Sequence, residues 1–124
     1  MLEVKNSPGK GRGVFATLPI EEGVCFESSP VLEIPQDQKR LVKKSVIAEY
    51  YFIWGPNGKD RALALGFGSL FNHSYQPNAF FELNHESNTI DFYALRPISI
   101  GEEITINYNG VPDSTAPVWF TIVD

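Results

Sequence analysis

The sequence has few of the features that mark several large classes of protein. Cys25 is the only cysteine among 124 residues, so no intramolecular disulfide and no multi-cysteine zinc site can form. No apolar run approaches the roughly 20 residues that a membrane-spanning helix needs. The first five residues also lack the apolar core of a signal peptide. These absences predict an intracellular protein without a membrane partner, and we expect Cys25 to be a small buried residue rather than a reactive thiol.

Positive charge is scarce as well. Ten basic and 15 acidic residues give a net charge of −5. Proteins that bind nucleic acid directly usually present a basic face, so we expect no such partner, whereas a basic protein partner fits the charge. Hydrophobic residues make up 43% and charged residues 20% of the chain, which excludes a disordered protein. The length predicts a single domain over 1–124.

Glycine, proline and asparagine break most of the sequence into short predicted strands. Residues 79–83 and 89–95 flank a five-residue loop and predict a hairpin. Apolar and polar residues alternate from Ile104, so that Ile104 and Ile106 should face the core. Only 37–54 lacks both glycine and proline and repeats apolar residues at helical spacing, which predicts the main helix. Further strands are predicted at 24–27 and 31–34, and a short helical turn at 61–65. The fold class is therefore mainly β with one main helix.

Three local motifs offer candidate chemistry, and each also has an ordinary structural explanation. The glycine-rich segment 9–13 can bring backbone amides close to a ligand, or it is a surface turn. Asn72 and His73 offer an amide and an imidazole to a purine edge, or they form a turn around a core histidine. The segment 101–108 ends on Tyr108, a catalytic or a packing residue. No motif supplies enough ligands for a metal ion.

In this order the three motifs resemble the SET domain family of protein-lysine methyltransferases. The matching pieces are Gly-Lys-Gly-Arg-Gly-Val-Phe-Ala, Phe-Asn-His-Ser-Tyr-Gln-Pro-Asn and Gly-Glu-Glu-Ile-Thr-Ile-Asn-Tyr, which span Gly9 to Tyr108. The short chain is most similar to the minimal stand-alone members of viruses and bacteria. The resemblance implies several small curved sheets with a C-terminal pseudoknot, in which the chain near Tyr108 packs beside the Asn-His-Ser segment.

The resemblance also implies an activity. S-adenosyl-L-methionine would donate a methyl group to the ε-amine of a lysine in a protein substrate, such as a histone tail or another basic protein. A non-catalytic interaction module with the same fold is the alternative. The location would be cytoplasmic in a bacterium and nuclear for a virus or a eukaryote. The sequence does not decide whether the protein forms a homodimer.

The same resemblance assigns roles to individual residues. Tyr108 would be the catalytic tyrosine, and Tyr51 either a second catalytic residue or a core residue; with Phe67 they would line the lysine channel. The cofactor-binding residues would be Lys10, Gly11, Arg12, Gly13, Asn72, His73 and Trp119. Arg12 departs from the apolar residue of many relatives. The tail 110–124 lacks the cysteines of a zinc-binding tail. Trp119 or Phe120 would then close the site, or else pack on a neighbouring surface.

Overall fold

The computed structural model of the protein describes residues 1–117, which form two sheets around one hydrophobic core. The strands of this part are β1 (Leu2–Ser7), β2 (Gly11–Ala16), β3 (Cys25–Ile34), β4 (Tyr51–Trp54), β5 (Asp60–Ala64), β6 (Asn72–His73), β7 (Ala79–Asn84), β8 (Thr89–Ala94) and β9 (Glu103–Ile106). Its helix α1 spans Gln36–Lys43, and short 3-10 turns span Val46–Glu49 and Gly68–Leu70. No helix among these residues is long and apolar enough to span a bilayer.

The first sheet has the strand order β1-β2-β9-β6. β1 and β2 form an antiparallel hairpin, and β2 pairs with β9 through Val14 opposite Ile104. β9 then pairs in parallel with the two-residue strand β6. β9, the last strand among the described residues, therefore lies in the middle of the sheet, between elements that come much earlier in the sequence.

The second sheet has the order β4-β5-β3-β8-β7, and its long strand β3 pairs on both sides. The sequence predicts two short strands interrupted by Pro30, but the structure forms one continuous strand. Pro30 opposes Thr89 as the last pair with β8, and Val31 opposes Ala64 as the first pair with β5. Proline lacks an amide donor, and it sits where β3 changes partners. For that reason it interrupts neither ladder.

The core joins both sheets. Ile104 and Ile106 of β9 and Ile90 and Phe92 of β8 are fully buried. The predicted inward face of β9 is therefore confirmed, as is the hairpin of β7 and β8. The mainly β fold class with one helix is also confirmed.

The predicted extent of the main helix is wrong. α1 ends at Lys43 and buries none of its residues. Val46 and Ile53, which continue the helical spacing, are 66% and 60% exposed. Tyr51–Trp54 instead pairs with Asp60–Ala64, the segment predicted as a helical turn. β4 consists of aromatic and β-branched residues, which favour strands, and its pairing with β5 outweighs the helical spacing of a few exposed residues.

The expectation for Cys25 is also wrong, because its side chain is exposed. Cys25 begins β3 opposite Tyr93, and the register of the strand shifts between Cys25 and Glu27. This irregularity buries Phe26 and leaves Cys25 outside. Burial and the nearby Asp91 carboxylate still raise the pKa of the thiol.

Candidate active site

The strand order of the first sheet brings the three sequence motifs together. β9 lies between β2, which carries the glycine-rich motif, and β6, which consists of Asn72 and His73. The backbone amide of Tyr108 donates a hydrogen bond of 2.9 Å to Nδ1 of His73. The predicted packing of this segment beside the Asn-His-Ser motif is therefore confirmed. The contact directs the buried imidazole of His73 toward the chain that follows β9.

Asn72 links all three motifs through its side-chain amide. Its Nδ2 atom donates to the carbonyl oxygen of Arg12 at 2.8 Å and to Oε2 of Glu103 at 2.7 Å. Gly13 packs directly against this pair: a Cβ atom there would collide with the Glu103 carboxylate and lie 2.9 Å from Nδ2 of Asn72. The missing side chain of Gly13 leaves room for the Glu103 carboxylate and the Asn72 amide at their observed positions.

Glu103 makes two further contacts beside the Asn72 side chain. Its Oε1 atom accepts a hydrogen bond of 2.8 Å from the Ser7 hydroxyl and lies 3.9 Å from Nζ of Lys10. The neighbouring Gly11 has a φ of +78°, and no atom lies within 4 Å of the position that its Cβ would take. The Glu103 carboxylate thus lies beside the Lys10 ammonium and the Asn72 amide. These groups suit a ligand that carries both an amino group and a carboxylate, such as the methionine end of S-adenosyl-L-methionine.

The preceding carboxylate belongs to a different set of contacts. Glu102 accepts hydrogen bonds from Asn78 and the backbone amide of Ser99, and pairs with Arg96 at 2.9 Å. Burial raises the pKa of Glu102, but these hydrogen bonds and the guanidinium outweigh burial and lower it. Glu102 and Glu103 therefore serve separate contacts rather than one acid-base pair.

Tyr108 packs against His73, with ring centroids 5.2 Å apart. Its hydroxyl donates a hydrogen bond of 2.6 Å to the carbonyl oxygen of Phe71. Burial, and then the neighbouring Tyr50 and Glu103, raise the pKa of this hydroxyl well above its usual range. The raised pKa favours the neutral hydroxyl, which is the form that donates to Phe71.

A cavity of about 450 Å³ opens beside Tyr108. Tyr51 and Tyr108, predicted on the lysine channel, both belong to its wall. Phe67 does not; it packs against the hydrophobic core, and its amide donates to Glu27. The aromatic residues of the wall are Tyr50, Tyr51, Phe52, Phe71, Phe81 and Tyr108. Such a wall suits an aliphatic stem that ends in a positive charge.

Of the wall residues, sequence reasoning named only Tyr51 and Tyr108 as site residues, and Phe81 and Arg61 are among those that it missed. Phe81 packs edge-on against Phe52 with ring centroids 5.1 Å apart. Its position in the predicted strand that follows Asn78 was a signal, because alternation would have distinguished Phe81 from Phe80. Arg61 offered no such signal, since it reaches the wall only through the unforeseen pairing of β4 with β5.

The end of the chain is described only in part. The Asn107 side chain donates to the carbonyl of Ser114 at 2.8 Å, and the Tyr75 hydroxyl donates to the carbonyl of Ala116 at 2.7 Å. The predicted closing residues Trp119 and Phe120 lie outside the described residues. In the part of the chain up to residue 117, no cluster of three or more histidine, cysteine or acidic side chains is arranged to hold a metal ion.

Comparisons with known proteins agree with this geometry. The SET domain family matches residues 11–109. A histone-lysine N-methyltransferase of Schizosaccharomyces pombe, specific for H3 lysine-37, is 41% identical over 108 residues, which cover 86% of this chain and 72% of that protein. One of Candida albicans, specific for H3 lysine-36, is 31% identical over 108 residues, which cover 81% of this chain but only 13% of that protein.

A solved structure is also similar. The crystal structure of a Plasmodium falciparum protein assigned as a histone methyltransferase superposes with a TM-score of 0.71 at 28% identity. The match covers 86% of this chain and 91% of that one. The similarity therefore extends from the motifs to the arrangement of the strands that hold them.

Proposed function

We propose, since this chain belongs to the SET domain family and is a protein-lysine N-methyltransferase, that its substrate is histone H3. Its cofactor is S-adenosyl-L-methionine, as in other SET methyltransferases. Two relatives named for neighbouring lysines of H3 support this substrate. A lysine-rich histone tail also complements the net charge of −5. A histone substrate implies a nuclear location.

The observation that carries the proposal is the shared wall of Tyr51 and Tyr108. A lysine side chain is long, apolar along its stem and charged at its end. The cavity beside these residues has six aromatic side chains in its wall. We assign it as the channel that receives the target lysine, with Tyr108 at its catalytic end and Phe67 behind the wall.

The cofactor site is proposed on the other side of the Asn72-His73 strand. The backbone of residues 10–13 and the side chains of Lys10 and Asn72 would hold the methionine end, and His73 would lie near the adenine. Arg12 contributes its carbonyl oxygen to Asn72 rather than a side-chain contact. When bound, the cofactor supplies an electrophilic methyl group on a positively charged sulfonium.

The chain's own residues mainly provide alignment and a suitable electrostatic environment. The lysine amine must be neutral to attack, although an ordinary lysine titrates near pH ~10.4. We do not assign the Tyr108 hydroxyl as the general base, because its raised pKa makes the deprotonated form scarce. We therefore assign Tyr108 the role of orienting the amine through hydrogen bonds, and the amine loses its proton to water.

The direct test is methyl transfer to recombinant H3. With labelled cofactor, we expect methylation of H3, and a loss of most of the label when the lysines at positions 36 and 37 of H3 are both replaced by arginine. Mass spectrometry of the product identifies the lysine and the number of methyl groups. Equal labelling of both H3 forms would overturn the assignment to this region of the tail.

A second test addresses the cofactor site. Asn72→Ala removes the hydrogen bonds to Arg12 and Glu103, and we expect at least tenfold weaker cofactor binding by calorimetry, in line with about 1.4 kcal/mol per factor of ten. Asn84→Ala is the matched control, because Asn84 lies in the β7–β8 hairpin outside the three motifs. Unchanged binding by Asn72→Ala would show that the cofactor lies elsewhere.

A further inference from the structure

Arg61 is a cationic residue in the wall of the cavity assigned to the target lysine. Its guanidinium carbon lies 5.5 Å from the centre of the Tyr51 ring. Its Nη1 atom donates to the carbonyl oxygens of Gly58 at 3.2 Å and Asp60 at 2.8 Å. The guanidinium is thus held at a fixed place by an aromatic face and two backbone acceptors.

The positive charge of Arg61 has no carboxylate beside it. Among the described residues, none lies within 4 Å of its guanidinium. The nearest acidic residue in sequence, Asp60, instead accepts a hydrogen bond from the backbone amide of Gln36. Arg61 is also only partly exposed, so solvent screens its charge less than that of a surface arginine.

We propose that Arg61 acts as a positioning residue that holds the Tyr51 ring and favours the neutral, reactive form of the target lysine in the channel. This inference rests on the proposed function of the cavity. A protonated lysine that enters the channel meets a fixed cation in the wall, whereas a neutral amine does not. A nearby like charge disfavours the charged form of a group, and the effect grows as the two charges come closer and as water is excluded.

Other charged and titratable groups act on the same amine. Glu49 of the 3-10 turn, an exposed residue of the cavity wall, opposes Arg61 because a carboxylate favours the ammonium form. Tyr50, Tyr51 and Tyr108 also line the cavity, and the sulfonium of the bound cofactor adds a second positive charge. Arg61 is the only cation of the protein's own among the wall residues that the structure describes.

The test is the pH dependence of kcat with saturating cofactor and H3 peptide, because kcat reports ionisation within the enzyme–substrate complex. The acidic limb of the profile is the range in which kcat rises with pH. For Arg61→Gln we expect this limb to shift by about one unit to higher pH, as for the loss of one nearby charge. At pH 7 kcat then falls about tenfold, since one pKa unit is a factor of ten. It recovers toward the wild-type value above pH 9, and KM for the peptide at pH 7 does not rise.

Two further variants separate charge from packing. Arg61→Lys keeps the charge and should keep the limb near its wild-type position. Arg61→Met keeps an unbranched stem over Tyr51 and should behave like Arg61→Gln, so it replaces that variant if the glutamine protein does not fold. Lys59→Gln removes the same charge from an exposed residue outside the cavity wall and should leave the profile unchanged.

The outcomes are distinct. Two outcomes overturn the role of Arg61 and leave the proposed function intact, provided that the wild type is active. In the first, the acidic limb of the neutral Arg61 variants lies where it does in the wild type. In the second, these variants lose kcat by the same factor at every pH. A wild type that methylates no H3 substrate overturns the proposed function, and the role of Arg61 with it.

Discussion

The hydroxyl of Tyr108 donates a 2.6 Å hydrogen bond to the carbonyl oxygen of Phe71, the residue that precedes Asn72 and His73. The Tyr108 backbone amide also donates to His73. One residue is thus tied twice to the segment proposed to bind the cofactor, through its backbone and its side chain. This double attachment fixes the tyrosine between the proposed cofactor site and the proposed lysine channel.

Tyr108→Phe should lower kcat for H3 methylation by about 100-fold, which is typical when a group that aligns the reacting atoms is lost. Cofactor affinity should stay within a factor of two or three, because the backbone hydrogen bond to His73 remains. Steady-state kinetics and calorimetry measure the two quantities. Tyr93→Phe is the control, since Tyr93 stacks on Phe80 in the second sheet. A Tyr108→Phe enzyme with unchanged kcat would remove Tyr108 from the chemistry.

Gly13→Ala should destabilise the protein by about 1–3 kcal/mol, the usual cost of inserting a methyl group into a packed site. The new Cβ would press on Glu103 and Asn72 and so weaken cofactor binding as well. Gly11→Ala is the informative comparison, because its Cβ would meet open space and only the φ of +78° opposes it. That conformation costs a non-glycine residue roughly 1–2 kcal/mol. Urea unfolding gives both free energies, and a Gly13→Ala protein as stable as the wild type would contradict the assigned packing.

Stability should fall on the acidic side partly through Glu102. Its pKa is lowered in the folded protein, while the unfolded chain titrates near the ordinary value of about 4.3. The unfolded state therefore binds the proton first as the pH falls, so the stabilising contribution is complete above that value and is lost as the pH falls through the folded pKa. Glu102→Gln should flatten the decline in unfolding free energy below about pH 4.5.

The control for this prediction is Glu21→Gln. The Glu21 carboxylate forms no hydrogen bond or ion pair to the described residues, so its removal should leave the acidic decline as steep as in the wild type. Urea titrations between pH 3 and 7 compare the three proteins. An equally steep decline in Glu102→Gln would show that its contacts with Asn78 and Arg96 do not affect stability.

Cys25 should react with a thiol reagent in the native protein, because its side chain is exposed. Partial burial of the thiol and the Asp91 carboxylate raise its pKa. The reaction rate at neutral pH should therefore be lower than for the unfolded chain. It should continue to rise with pH above about 8.5, the ordinary pKa of a cysteine. Stopped-flow labelling of folded and urea-unfolded protein measures this. A native protein that reacts only as fast as it unfolds would contradict the exposure.

Much of the proposed site was identifiable from the sequence because it consists of short local motifs. The segment 9–13, the Asn72-His73 pair and Tyr108 were each identifiable by residue type, and their order pointed to the family. Ile104 and Ile106 were placed in the core by alternation alone, and the β7–β8 hairpin by its turn residues. These features depend on neighbours in sequence, so no long-range contact is needed to predict them.

Other elements depend on contacts between distant parts of the chain. The spacing of Val46 and Ile53 predicted a long helix, but pairing with β5 turned residues 51–54 into a strand. The same pairing brought Arg61 over Tyr51 and created the cavity wall. Pro30 predicted a break, yet the exchange of strand partners at that residue removed any need for its amide. Local propensity carries no information about which partner a strand will find.

The scarcity of cysteine and of basic residues is fixed by the sequence alone, and the charge balance favours a basic substrate. The charge balance is a sum over the whole chain, however, and a sum does not say where each charge lies. Only the tertiary structure set a guanidinium in the wall of an aromatic cavity, on a protein with a net charge of −5. The physical reason is that composition fixes how many charges a chain carries, while long-range strand pairing decides which of them meet the substrate.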